Sequence, residues 1–168
     1  MFDKRYYAFD AEYRKVVREI ATPVSLFSSH TSAEGKCVKT YAVWDTGATH
    51  SVLSPKIVQE LGLLPIDTCL VRGINHDQIS DIVIASISLT SDLLLVGRRF
   101  SVNNIPGADV LLGMDIITMG DFVINNADGQ TLFSFVIPSF KDKISFSEKA
   151  DSIHNNQQAA TQQCRLAP

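Results

Sequence analysis

Three cysteines in 168 residues, Cys37, Cys69 and Cys164, are too few and too scattered for a disulfide framework. None sits in a CxxC or Cys/His spacing of the kind a structural zinc requires. They read as free thiols, which fits a reducing compartment and a cytoplasmic location. Basic clusters are missing too. Nothing exceeds the pair Arg98-Arg99 and the net charge is only −3, so no nucleic acid and no anionic membrane surface is expected as a partner. The N-terminal stretch is charged and aromatic, without an uninterrupted apolar run, and is read as neither a signal peptide nor a membrane span. No Gly-x-Ser-x-Gly elbow accompanies His50, His76, Ser51 or Ser54, so a serine-hydrolase triad lacks its turn. Trp44 and the phenylalanines read as core residues, and no cofactor is implied.

What remains is enough chain for one domain with a sizeable core. Tyr6, Phe9, Tyr13, Val16, Val17 and Ile20 recur at helical spacing, which predicts an amphipathic helix in an N-terminal extension, residues 1–22. From Pro23 the composition turns to β. Two strands around the polar loop 28–36 would form a hairpin leading into residue 45. Ser54 followed by Pro55 reads as N-cap and first helical residue, with Gly62 placed to stop a helix of about two turns. Short strands then follow at 68–71, 81–89, 93–96, 99–102, 109–112, 122–124 and 131–137, separated by turn clusters such as Asn103-Asn104, Pro106-Gly107 and Asp128-Gly129. Many short strands and few helices predict an all-β, barrel-like domain over 23–140. Residues 141–168, rich in Asn and Gln, read as a poorly ordered tail.

Against this background one run stands out: Val43-Trp44-Asp45-Thr46-Gly47-Ala48-Thr49-His50-Ser51-Val52-Leu53. An apolar strand delivers a carboxylate into a turn of small residues and the chain then becomes apolar again. Much later comes Val110-Leu111-Leu112-Gly113. Together these resemble the retropepsins, the retroviral-type aspartic proteases, whose pattern is an Asp-Thr-Gly-Ala turn and a later hydrophobic-hydrophobic-Gly strand. The resemblance spans roughly 38–138, and the stretch from Gly113 to Phe122 is similar to the short helix and strand that close the unit in bacterial members.

The resemblance implies a retropepsin-like acid-protease barrel, one lobe per subunit, with Asp45 catalytic. It implies that Thr46 points its hydroxyl across a two-fold axis, and that Leu111, Leu112 and Gly113 pass behind Thr46, Gly47 and Ala48 to support them. Small size lets the Gly47 backbone come close and offer its N–H to the carboxylate. Thr49, with Gly73, Ile74 and Asn75 of a flap-like hairpin, would meet an extended peptide. The retroviral flap tip is richer in glycine; here only Gly73 is present.

Peptide hydrolysis without metal needs one group to deprotonate water and another to protonate the carbonyl oxygen. Two carboxylates about 3 Å apart share one proton and supply both. With a single Asp-Thr-Gly in this chain, the second carboxylate would come from Asp45 of another copy, in a homodimer acting on a protein or peptide substrate. Asp115 and Asp121 are rival carboxylates, better suited to helix ends. Two other readings compete. One is the same fold without turnover, as a dimerisation or peptide-binding module. The other is a phosphate-binding turn of the sugar-kinase type, which needs a longer chain alternating β and α.

Overall fold

A computed structural model describes residues 5–28, 35–72 and 77–154. Its first element is a strand, β1 (Tyr7–Tyr13), where the spacing predicts a helix. Tyr7, Phe9, Ala11 and Tyr13 turn inward while Ala8, Asp10 and Glu12 are exposed, a period of two that the same aromatic residues satisfy as readily as the helical one. Pairing decides between them. β1 runs antiparallel to β10 (Thr131–Ile137) in continuous register from Tyr7↔Ile137 to Tyr13↔Thr131. Residues 14–20 then form a loop, not a second half of a helix. The Tyr13 hydroxyl donates to Ala21 O at 2.8 Å and accepts from Ala21 N at 3.1 Å, while Val17 N donates to Thr131 Oγ1. The segment expected as a separate helical extension is thus woven into the folded unit.

The expected hairpin is present as β2 (Ala21–Phe27) and β3 (Cys37–Trp44), followed by β4 (Val52–Leu53) and helix α1 (Pro55–Leu61). α1 begins and ends where its capping residues predict. Ser54 Oγ accepts from Ile57 N, and Gly62 takes the left-handed conformation that closes the helix. Next come β5 (Asp67–Arg72), the long β6 (Asp77–Thr90) and β7 (Leu93–Val102). The predicted strands 93–96 and 99–102 are one strand. Gly97, at φ 61°, absorbs a register shift opposite Ser86 and the ladder continues through it. β8 (Val110–Leu112), the short helix α2 (Met114–Ile117) and β9 (Asp121–Asn125) complete the unit before β10. Residues 146–154, inside the expected polar tail, are helical; residues 155–168 of that tail, with Cys164, lie outside the described residues.

The larger sheet has the order β2-β3-β8-β4-β7-β6-β5, and β2 also pairs with β6, so six strands close into a barrel. Its interior is filled by Leu26, Leu53, Val83, Ile87, Phe100 and Leu112, all fully buried, with Ile57 and Leu61 of α1 packed against them. The second sheet, β1-β10-β9, is three-stranded. Phe133 and Phe135 of β10 and Phe9 of β1 meet the barrel at Trp44, whose ring lies 4.9 and 4.7 Å from Phe133 and Phe135. Trp44 Nε1 donates to the buried Thr22 Oγ1 at 2.9 Å, so the indole is fixed at both its apolar and polar ends.

A polar clamp ties α1 to the loop before β8. Ser54 Oγ donates to Asp109 Oδ1 at 2.9 Å and Lys56 Nζ to Asp109 Oδ2 at 2.7 Å. These hydrogen bonds, Lys56 first and Ser54 second, hold the Asp109 carboxyl below the usual carboxylate range. A carboxyl lowered on folding stabilises the fold above its unfolded pKa, and that contribution is lost as pH falls through the folded value. Asp109→Asn is therefore expected to be less stable than the parent at neutral pH, with the difference shrinking towards about pH 2.5, as measured by urea unfolding at both pH values. A difference that stays constant would contradict the assignment.

Candidate functional site

β3 ends at Trp44 and β8 at Leu112, and the two lie side by side in parallel, Ala42↔Val110, Val43↔Leu111 and Trp44↔Leu112. Both therefore deliver their following residues to one end of the barrel. The Asp45 amide continues the ladder by donating to Leu112 O at 2.9 Å. At the turn itself Gly47 N donates to Asp45 Oδ1 at 2.8 Å, and Ala48 N to Asp45 O at 3.3 Å. A side chain on Gly47 would put its Cβ 3.1 Å from the same Oδ1, tighter than ordinary contact. The carboxylate is thus seated on its own turn by a residue that must stay small, and it remains partly open to solvent. Thr46 and Gly47 are exposed at the tip, as is Thr49 beyond it.

The support expected of 111–113 takes a definite form. Leu112 is fully buried, Leu111 half-buried, and Gly113 crosses against the turn so closely that a Cβ there would lie 2.7 Å from His50 C and 2.8 Å from Ala48 O. Past this crossing the amides of α2 hold the turn from behind, Met114 N donating to Ala48 O at 2.8 Å and Asp115 N to Thr49 O at 3.2 Å. Ser51, fully buried, locks the same junction: its Oγ accepts from Gly113 N at 3.0 Å and donates to Asp115 Oδ1 at 2.7 Å. Sequence reading leaves Ser51 as an ordinary loop residue. Its immediate neighbours, Thr49 and His50 before it and Val52-Leu53 after it, gave no signal, and its partner stands 64 positions away. Asp115 does occupy the first turn of its helix, but Ser51 engages its carboxylate; Asp121 accepts from Phe140 N at 2.8 Å.

Two clefts flank the turn. One, about 330 Å³, runs along Asp45 and Thr46 and is floored by Trp44, Ile117, Phe122 and Ile124. The other, about 450 Å³, lies against His50 and Asp115 under β6 and β7. β5 and β6 form an antiparallel hairpin at the position expected for a flap, from Asp67↔Ile82 to Arg72↔Asp77. The predicted contact residues Gly73, Ile74 and Asn75, and with them His76, lie outside the described residues. Cys37 and Cys69 are unpaired. Among the described residues, no helix is long and apolar enough to cross a membrane.

No family model matches the sequence, and no curated protein does. Among solved structures, one described as the crystal structure of a retropepsin-like aspartic protease from Rickettsia conorii is similar, at 14% identity and a TM-score of 0.47, covering 81% of this chain and 98% of that one. An identity this low leaves function to the chemistry of the residues themselves.

Because backbone atoms surround the Gly113 position, neither side of the crossing can yield cheaply. Gly113→Ala is expected to lower stability by about 1–3 kcal/mol, the usual range for overpacking. Ser51→Ala, which strips the buried Gly113 amide of its acceptor, should cost a similar ~1–3 kcal/mol. Thermal or urea melts of both variants check this, and parent-like stability in either would contradict the brace.

Proposed function

We propose that this chain is one subunit of a homodimeric aspartic endopeptidase, in which Asp45 from each copy forms the pair that activates water. The supporting observation is the seating of Asp45: a carboxylate, open to solvent, held on a small-residue turn by the Gly47 amide and braced from behind by Gly113 and Ser51. Backbone braced to this degree suits a group that has to meet its counterpart within a few tenths of an ångström.

A two-fold axis beside the turn brings the two carboxylates together. One of them, ionised, takes a proton from water. As the water oxygen bonds to the scissile carbonyl carbon, the other carboxyl, protonated, gives its proton to the carbonyl oxygen. When the tetrahedral intermediate collapses and the C–N bond breaks, the first carboxyl passes the water's proton to the leaving nitrogen and the other regains its proton from the diol. Such a pair titrates as a unit. Thr46, exposed at the tip, meets its copy across the axis. The apolar cleft at Trp44, Ile117, Phe122 and Ile124 is the surface on which apolar side chains of the second copy would be buried. An extended peptide runs between the turns and the β5–β6 hairpin, held chiefly by main-chain hydrogen bonds. A single subunit has half of the machinery and is inactive.

Asp45→Asn is expected to fold normally and to lose cleavage of a mixed peptide library by on the order of a thousandfold or more, the range for removing an acid–base group. Mixed in equal amounts with the parent and allowed to exchange subunits, it should also remove about half of the parent's activity, because half of the intact subunits then sit in dead heterodimers. Cleavage that survives the substitution rules out the mechanism. Activity indifferent to mixing rules out the shared pair.

A further inference from the structure

We infer that Asn103 is a positioning residue for the bound peptide: its side chain sets where the β5–β6 hairpin stands relative to the Asp45 turn. This rests on the endopeptidase reading and names a residue, outside the turn, on which substrate affinity depends.

β6 changes partners at Ile82. From Ile82 to Thr90 it pairs with β7, and from Asp77 to Ile82 with β5 along its other edge. The last backbone pair between β6 and β7 on this side is Ile82↔Ser101, and β7 itself ends at Val102. Residues 77–81 therefore run on past the end of β7, with one edge released from the barrel's ladder. A two-stranded hairpin has little stability of its own, so its angle to the barrel has to be fixed by something at its root.

Asn103, the first residue past β7, fills that place. Its Oδ1 accepts from Ser80 Oγ at 3.0 Å and also from Gln78 Nε2, so one atom gathers donors from two residues of β6. Its backbone belongs to the other side. Asn103 N donates to Leu53 O at 3.1 Å, continuing the parallel line of β7 against β4. Leu53 is fully buried and follows directly on the braced segment that ends in Ser51, whose carbonyl accepts from Ser101 N at 3.1 Å. The hairpin and the turn are thus referenced to each other through one side chain. A second link reaches the hairpin from β7, Arg99 Nη2 donating to Asp67 Oδ2 at 2.8 Å, but both of its side chains are more than half exposed, where ion pairs contribute little. Ser80 is 4% exposed, and a buried hydroxyl without a partner is costly, so the hairpin keeps the position that holds Ser80 against Asn103. Main-chain bonds to an extended peptide need strands about 4.8 Å apart, and a hairpin displaced by about an ångström gives them up. Such bonds act on bound substrate and transition state alike, so their loss appears in KM and not in kcat.

The test uses the full chain and a peptide that the parent cuts. Asn103→Ala should raise KM about tenfold with kcat within about twofold of the parent. In the Asp45→Asn background it should weaken binding of the same peptide by a matching factor, followed by fluorescence anisotropy. Asn103→Asp keeps the accepting oxygen and should retain most of the affinity. Ser80→Ala should raise KM by less, since Gln78 still reaches Asn103, and adding it to Asn103→Ala should raise KM no further, because both changes remove the same interaction. Should Asn103→Ala fail to fold, Ser80→Ala carries the test, and an unchanged KM there overturns the inference. A fall in kcat at unchanged KM, which is what a smaller folded fraction gives, overturns it too and leaves the endopeptidase standing. So does Asn103→Asp as impaired as Asn103→Ala, or effects of Ser80→Ala and Asn103→Ala that add in full. A protein that neither binds nor cuts any peptide overturns both.

Discussion

A backbone crossing with no room for a methyl group governs this molecule. Where Gly113 passes the turn at 45–50, the missing Cβ would sit within 2.8 Å of main-chain atoms of Ala48 and His50 in that turn. Because the two segments touch through backbone, their separation is set by bond geometry and not by side chains that can repack. Everything at that end of the barrel is referenced to the contact. Leu112 O orients the Asp45 amide, the first amides of α2 reach Ala48 O and Thr49 O, and Ser51 has both a donor and an acceptor within reach. Relaxing the crossing would release all of these together.

The same end of β3 is anchored a second time, through its side chain. Trp44 precedes Asp45, sits among Phe9, Phe133 and Phe135, and is tethered to Thr22. Aromatic pairs of this kind contribute about 0.5–1.5 kcal/mol each beyond the area they bury. They also join the three-stranded sheet to the barrel at one residue from the carboxylate. The small sheet is thus part of what positions Asp45, although none of its residues belongs to the turn.

Features encoded within a few residues were legible from the sequence. Ser54, Pro55 and Gly62 delimit α1 because capping chemistry is local, and the strand ending at Trp44 and the strand Val110–Leu112 are each short local patterns that the fold sets side by side. Misreadings arose where a distant partner decides. Tyr6, Phe9 and Tyr13 satisfy helical spacing, but β10 offers a ladder and an aromatic face that only a strand can use. Gly97 looks like a strand break, yet Ser86 opposite it provides a side-chain acceptor for its amide and lets β7 run on. Ser51 and Asp115 each look unremarkable alone, and their meaning comes from the fold that joins them.

Asp10 and Ser134, hydrogen-bonded neighbours in the small sheet, stand 124 positions apart in the chain. During synthesis the aromatic face of residues 7–13 therefore leaves the ribosome long before its pairing strand exists. The closing of that sheet comes late, because non-local ladders form only after the intervening chain has collapsed. Trp44 can complete its aromatic nest only at that point, so the nascent barrel carries an unfinished seat for Asp45. Maturation of the carboxylate's surroundings is tied in this way to the emergence of β10.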